Sequence, residues 1–144
     1  MRKIIFTALF ALFSISFYAQ KGPKIVFKAV DNTIDYGKIY KGEDDGVRVF
    51  EFTNTGDAPL IITNVQSTCG CTVPSKPKEP IMPGKSDKIE VKYNMALGPI
   101  RKSITVESNA VNYEGGKVHL KIKGDVLERT ETSPLEKKKV GPLQ

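Results

Sequence analysis

The feature that most constrains the fold is an alternation of apolar and polar side chains with a period of two residues. In residues 117–126 an apolar set, Val118, Leu120 and Ile122, alternates with a polar set, His119, Lys121 and Lys123. Successive side chains of a β-strand point to opposite faces, so this pattern is typical of a strand with one buried face. Similar alternation runs from residue 24 to residue 126, and no stretch has the helical period. The sequence therefore predicts an all-β domain.

Turn residues divide this alternation into about seven strands. The predicted strands span residues 24–30, 33–40, 47–54, 60–68, 87–94, 100–109 and 117–126. Gly37 is expected to form a bulge or bend in the second strand. The segment 60–68 is apolar on both faces near its start, which favours an inner strand. About seven short strands in about 105 residues indicate an immunoglobulin-like β-sandwich.

The connections have recognisable turn chemistry. Residues 54–59 read Asn-Thr-Gly-Asp-Ala-Pro, in which Gly56 can take a positive φ and Pro59 ends strand pairing. Four prolines between residues 74 and 83 predict an extended loop with few backbone donors. Gly115 and Gly116 predict a hairpin turn before the last strand.

The first 20 residues have the layout of a secretory signal peptide. Arg2 and Lys3 precede an apolar run, and small and polar residues follow, with cleavage expected after Ala19 or Gln20. The alternative is a membrane anchor, but the apolar run of about 15 residues is shorter than the ~20 needed to span a bilayer. We therefore predict an exported protein, periplasmic or extracellular, with no membrane span after removal of the signal.

The rest of the chain is predicted to hold one domain. About 124 residues remain after the signal, which suffices for a single core. Residues 21–127 form that domain, and residues 128–144 are polar and are predicted to be a disordered tail. The formal net charge of the whole sequence is +6, and two of its basic residues lie in the signal. So modest a basic excess, in an exported chain, argues against nucleic-acid binding.

The two cysteines, Cys69 and Cys71, carry the most distinctive chemistry and are separated by one glycine. Four interpretations are open: an intrachain disulfide, a thiolate pair for Cu(I) or Zn(II), a thiol-exchange pair, or two packed structural residues. Interchain bridging is a further alternative. Gly70 tolerates unusual φ and ψ angles, which would help to close so small a ring.

The structural interpretations, a disulfide or packed thiols, are favoured over metal and redox roles. Structural zinc commonly has four protein ligands, whereas the chain has one histidine, His119, and two thioethers after the signal, Met82 and Met95. We therefore predict no metal site and no cofactor, with Cys69 and Cys71 as the candidates if a metal binds. Redox exchange would favour a lowered thiol pKa, and no helix N-terminus is predicted nearby.

Other reactive residues form no recognisable motif. His119 is expected to be an ordinary surface residue of a strand, and no spacing indicates a hydrolytic triad. The pair Asp44–Asp45 lacks the spacing of a calcium loop. The lysines of the last strand, Lys117, Lys121 and Lys123, are expected to form a solvated face or to protect a sheet edge. No catalytic residue is predicted, so the protein is expected not to be an enzyme.

Several motifs occur together in a family-like order. They are Tyr36-Gly37 with Ile39 and Gly42; Phe50-Glu-Phe-Thr-Asn-Thr-Gly56; Pro59-Leu-Ile-Ile62; Ser67-Thr-Cys-Gly-Cys-Thr72 with Pro74; Ile81 with Pro83-Gly84; and residues 104–108. Over roughly residues 34–124 the chain resembles the bacterial DUF1573 domain, an exported immunoglobulin-like module of undefined function. That domain is related in architecture to the ASPM-SPD-2-Hydin and major-sperm-protein sandwiches. The resemblance implies a fold and export, but no ligand or reaction.

The sequence supports three functional hypotheses. The first is a non-enzymatic module that binds an unknown envelope or extracellular protein, or that builds the envelope, as a monomer or weak oligomer. The alternative is a small thiol protein that uses Cys69 and Cys71 for Cu or Zn binding or for redox exchange. The third is a pilus-type periplasmic chaperone, but such proteins have two sandwich domains and this chain has length for one.

Overall fold

A computed structural model describes residues 21–130 as two packed β-sheets of four strands each. The predicted signal peptide and residues 131–144 of the predicted tail lie outside the described residues. In chain order the strands are β1 (Ile25–Phe27), β2 (Thr33–Tyr40), β3 (Val47–Asn54), β4 (Ile62–Ser67), β5 (Thr72–Pro74), β6 (Ser86–Tyr93), β7 (Gly98–Ser108) and β8 (Lys117–Leu127). The structure confirms the predicted all-β sandwich.

The strand order defines the two sheets. Sheet A has the order β1-β3-β6-β5 and sheet B has the order β2-β8-β7-β4. All neighbours are antiparallel except β2 and β8, which run parallel. The register of β2 against β8 shifts between Asp35 and Lys38, which confirms the bulge predicted at Gly37. Between β7 and β8, Gly115 and Gly116 form the predicted turn, both with positive φ.

The core lies between the sheets and follows the alternation of the sequence. Phe50 and Phe52 of β3 are fully buried, and the ring of Phe27 meets Phe50 edge-on with 6.4 Å between centroids. Burying each such side chain contributes about 1.5–3 kcal/mol. Sheet B contributes the apolar set predicted for its last strand, Val118, Leu120 and Ile122, which is buried. The polar set that alternates with it is exposed.

Two strand boundaries differ from the prediction. The first strand ends at Phe27 instead of continuing to residue 30, because the backbone bends at residues 28 and 29. It then turns at Asp31 and Asn32, whose φ values are 50° and 53°. An eighth strand, β5, lies in the segment that was predicted to be a proline-rich loop. It is three residues long, and Pro74 ends it on the edge of sheet A, where a missing donor costs little.

The prediction that residues 60–68 form an inner strand was wrong, because β4 is an edge strand of sheet B. The apolar pair that suggested an inner strand precedes β4. Leu60 is fully buried and pairs with Ile81, whereas Ile61 is 45% exposed. Conversely, β8 lies between β2 and β7, so its lysines do not protect a sheet edge as one alternative had proposed.

Asn54, at the end of β3, is a fully buried polar residue that ties several segments together. Its Oδ1 accepts hydrogen bonds from the backbone N–H groups of Lys24 (3.2 Å) and Gly56 (3.0 Å). Its Nδ2 donates to the carbonyls of Ala58 (2.8 Å) and Ile81 (2.9 Å). The amide is therefore fully satisfied, as a buried polar group must be to stabilise a fold.

Gly56 is required next to Asn54 for a reason that the sequence did not indicate. Its φ is not positive, so the turn does not use the freedom that the sequence offered there. A Cβ on Gly56 would lie 2.1 Å from the carbonyl oxygen of Gly22 and 2.6 Å from the nitrogen of Lys24. Glycine is needed because the N-terminal segment passes directly over this turn. We call Asn54, Gly56 and the backbone of residues 22–24 the Asn54 corner.

Candidate functional site

The Cys69–Cys71 loop connects the two sheets at the side where β4 and β5 are edge strands. The chain leaves β4 in sheet B and enters β5 in sheet A within a few residues. The backbone N–H of Asn94 donates to the carbonyl of Cys71 at 2.9 Å, which anchors the loop to the end of β6. Cys69 and Cys71 are half-buried and Gly70 is exposed.

In the structure the Sγ atoms of Cys69 and Cys71 are bonded, and their Cα atoms are 5.3 Å apart. The hydroxyl of Thr72, a buried residue, lies 4.0 Å from the sulfur of Cys69 and 3.9 Å from the sulfur of Cys71. A bonded pair has no thiolate to offer a metal ion, so the metal interpretation concerns the reduced protein alone.

Gly70 has none of the constraints that apply at Gly56. Its φ lies outside the left-handed region, and a Cβ would meet no atom within 4 Å. The loop therefore does not use the positive φ that a glycine allows. Gly70 is exposed, so the backbone of the ring that the disulfide closes faces solvent at this residue.

The structure brings no further metal ligands to the cysteines. Within residues 21–130 no three side chains of His, Cys, Asp or Glu converge as a metal site would require. His119 is exposed on β8, with its Nδ1 3.2 Å from the Thr105 hydroxyl, as expected of a surface strand residue.

Asp44 takes part in a structural cluster that the sequence analysis missed. Its carboxylate binds the Arg48 guanidinium through two contacts, of 3.1 and 2.7 Å, and these hydrogen bonds hold the pKa of Asp44 below its usual range. The guanidinium lies 4.2 Å from the ring centre of Tyr36, a cation–π contact. The Tyr36 hydroxyl donates to the carbonyl of Gly46 at 2.9 Å, and burial raises its pKa to about 12. An acidic residue four positions before an arginine across a glycine turn was the available signal.

The edge of β4 that faces away from β7 is a backbone surface beside the cysteine loop. The N–H of Thr68 donates to the carbonyl of Ser103 at 3.1 Å. Because hydrogen-bonded pairs alternate along an antiparallel ladder, Gln66 also bonds to β7, and Val65 and Ser67 direct their N–H and C=O groups away from it. The Thr63 carbonyl, which also faces this edge, accepts a hydrogen bond from the exposed side chain of Lys76 at 3.2 Å.

The other sheet edges are better protected than β4. Strands β1 and β5 have three residues each, and β5 ends in a proline. Strand β2 carries the bulge at Gly37 and the charged residues Asp35 and Lys38. Bulges, prolines, charges and short length are the features that keep edge strands from pairing with another chain. Strand β4 has a register irregularity at its start, between Ile62 and Asn64, but the rest of it, Asn-Val-Gln-Ser, has neither a charge nor a proline.

Comparisons with known proteins support the family and the fold. A family model described as "Protein of unknown function (DUF1573)" matches residues 27–126. No curated protein matches the sequence. Within the described residues there is no helix with the length and apolar character to cross a bilayer.

Solved structures with the same fold come from unrelated settings. A protein of unknown function from Porphyromonas gingivalis W83 superposes with a TM-score of 0.60 at 16% identity, over 76% of this chain and 51% of that chain. The ASH/PapD-like domain 7 of human CEP192 gives 0.56 at 12%, over 77% and 92%. The secreted serine protease VesC from Vibrio cholerae gives 0.54 at 17%, over 78% and 25%. This chain thus spans about half of the Porphyromonas structure, and at such identities the likeness shows the fold alone.

Proposed function

Because the chain belongs to the DUF1573 family, whose function is unknown, we propose a function from its own geometry: an exported, non-enzymatic module that binds an extended segment of an envelope or extracellular protein. The binding site is the free edge of β4, with the Cys69–Cys71 loop beside it. The observation that carries the proposal is the outward direction of the backbone groups of Val65 and Ser67, on a strand that itself has neither a charge nor a proline.

Strand addition fits this edge because it uses the backbone groups that the ladder to β7 leaves unused. Val65 and Ser67 each offer one N–H and one carbonyl, so a partner strand can form about four backbone hydrogen bonds with them. At about 0.5–1.5 kcal/mol for each bond, these supply on the order of 4 kcal/mol. Micromolar affinity requires about 8 kcal/mol. Side-chain contacts must supply the rest, and the exposed side chains nearest the edge are Thr63, Gln66 and Thr68.

Export rests on two independent features. Residues 1–20 have the layout of a signal peptide. The bonded cysteines suit an oxidising compartment, in which disulfides persist. The periplasm and the cell exterior both meet this condition, and the partner is accordingly an envelope or secreted protein.

Site-specific photo-crosslinking in the producing cell tests the proposal. A photoreactive residue replaces Gln66, which is exposed beside the free edge, and in a matched control it replaces Lys88, which is exposed on the outer face of sheet A. We expect position 66 to give one discrete crosslinked protein and position 88 to give none. Equal crosslinking from both positions, or none from position 66, would contradict binding at β4.

Thiol exchange at Cys69 and Cys71 is a second candidate function. The observation in its favour is the Thr72 hydroxyl within 4.0 Å of both sulfurs, where it can donate to a thiolate that leaves during exchange. Equilibration of the purified protein with glutathione buffers, followed by a count of free thiols, measures the potential of the pair. A potential within the glutathione range supports exchange, and a pair that stays oxidised throughout is structural.

A further inference from the structure

The outer face of sheet B is ordered in rows that run across its strands. The register places Lys121 of β8 between Thr33 of β2 and Ser103 of β7. In the next row Lys123 lies between Asp35 and Arg101. These residues, apart from Asp35, line a shallow groove of about 410 Å³. We call Arg101, Lys121 and Lys123 the basic rows.

The acidic residues on this face neutralise only part of the positive charge of the basic rows. Lys123 pairs with Asp35 at 3.4 Å, and beyond the rows Lys117 pairs with Glu107 at 3.4 Å. Arg101 and Lys121 form no ion pair with any described residue. Arg101 also lies directly opposite Lys123 in the ladder, and like charges in that position destabilise a sheet.

This arrangement has no structural purpose that the fold reveals. Strand β8 is flanked by β2 and β7, so its lysines do not shield an edge. Asp35 offsets only one of the two cations in the row of Arg101 and Lys123. A negatively charged ligand over the groove would offset the second and would also meet Lys121.

An apolar row lies at one end of the face, beyond a row in which Asp125 of β8 lies between Lys38 of β2 and Pro99 of β7. Tyr40 of β2 pairs with Leu127 of β8. On the other side of β8, Gly98 pairs with Val126, so Leu97, the residue before Gly98, lies near Leu127. Tyr40 is 39% exposed and Leu97 is 49% exposed. The face therefore offers cations and, about 13 Å further along β8, apolar side chains.

We propose that the outer face of sheet B binds an extended acidic peptide segment of a partner protein that also carries an apolar residue. Lys121 and Lys123 are two positions apart on a strand, about 6.7 Å, and this is also the spacing of same-face carboxylates in an extended peptide. The apolar row favours a peptide over a phosphate polymer, which has no apolar side chain to place there. This surface is separate from the β4 edge, so the inference does not depend on strand addition.

The probe is a fluorescent peptide of alternating Glu and Ser residues with two Leu residues at one end, titrated into the purified protein. We expect saturable binding that weakens between 50 and 300 mM salt, and no binding of the same peptide with Gln for Glu. The double variant Arg101→Gln/Lys121→Gln should bind about tenfold more weakly. The matched control Lys88→Gln/Lys92→Gln, on the outer face of sheet A, should stay within about twofold.

Two further measurements keep the proposal falsifiable. Leu97→Ser should weaken the peptide that ends in leucines about threefold and leave a peptide without leucines unchanged. Arg101→Gln should raise the melting temperature by about 2 °C, because it removes the like-charge pair. Equal binding of the Gln peptide, equal loss in both double variants, or tighter binding of polyphosphate or single-stranded DNA than of the peptide would overturn the proposal.

Discussion

The Asn54 corner and the Cys69–Cys71 loop are both turns that follow a strand, but they are built in opposite ways. At the corner, every polar atom of a buried side chain is bonded and a glycine is enclosed by backbone atoms. In the loop, a disulfide joins two half-buried cysteines, and a Cβ on the glycine between them would meet no atom within 4 Å. Packing and hydrogen bonds fix the conformation of the corner, whereas the loop is held by a disulfide that the packing around it does not require.

This difference distinguishes the residues that stabilise the fold from the residues that are available for a function. A buried hydrogen-bond network that loses one member leaves its partners unsatisfied, which is costly. A disulfide that closes a very short loop removes little entropy from the unfolded chain. We therefore expect stability to depend on the corner, and binding or redox behaviour to depend on the loop and on the β4 edge beside it.

The largest expected effect is at the corner itself. Asn54→Ala leaves the N–H groups of Lys24 and Gly56 and the carbonyl of Ala58 without this partner, while the Ile81 carbonyl keeps a bond from the N–H of Leu60. The substitution should lower the free energy of unfolding by about 3 kcal/mol. Chemical denaturation measures it. The control Asn64→Ala removes one long contact to Glu107, of 3.5 Å, and should change stability by less than about 0.5 kcal/mol. Similar losses in the two variants would remove the distinction between the regions.

A matched pair of glycine substitutions compares the two turns directly. Gly56→Ala places a methyl group against three backbone atoms of residues 22–24 and should cost about 2 kcal/mol. Gly70→Ala enters open space and should change stability by less than about 0.5 kcal/mol while the disulfide still forms. Thermal unfolding and a thiol count on each variant give both results. A destabilised Gly70→Ala protein would show that the loop is as constrained as the corner.

The disulfide should contribute less than either corner residue. Cys69→Ser/Cys71→Ser should lower the free energy of unfolding by about 1.5 kcal/mol or less, since the closed loop is so short. Reduction of the unaltered protein is the control and should give the same change. If the double variant fails to fold, the pair belongs with the corner as a structural element.

The last effect appears only at high pH. The pKa of Tyr36 is raised by burial to about 12 from an ordinary value of 10.0, so its neutral form is favoured in the folded protein. Its contribution to stability is complete below pH 10 and is lost as the pH rises towards 12. Absorbance titration should show a tyrosine that ionises near pH 12 and is missing in Tyr36→Phe. The carbonyl that loses this hydroxyl keeps a bond from the N–H of Tyr93, so the substitution should cost little stability.

The sequence predicted the fold where local pattern and burial agree. The alternation in β3, β6, β7 and β8 assigned the buried face of each strand, because a period of two residues has one solution once one face is apolar. It did not predict sheet order: the apolar start of residues 60–68 suggested an inner strand, and a bridge from Leu60 to Ile81 explains it instead. Strand order depends on contacts between distant segments, which a local pattern does not contain.

The candidate site was predictable in part. Cys69 and Cys71 stood out by residue type, but the free edge of β4, the enclosure of Gly56 and the opposition of Arg101 to Lys123 depend on tertiary pairing. The hydrogen bonds of Asn54 were likewise hidden, since a buried asparagine reads in sequence as one more turn residue.

Residue-resolved amide exchange tests the central claim, binding at the free edge of β4, most directly. In the free protein we expect the amides of Val65 and Ser67 to exchange quickly and those of Gln66 and Thr68 to be protected by β7. When the protein is bound to the partner identified by crosslinking at position 66, the amides of Val65 and Ser67 should become protected from exchange. If these two amides stay fast in the complex while binding is saturated, the partner does not add a strand to β4 and the account is wrong.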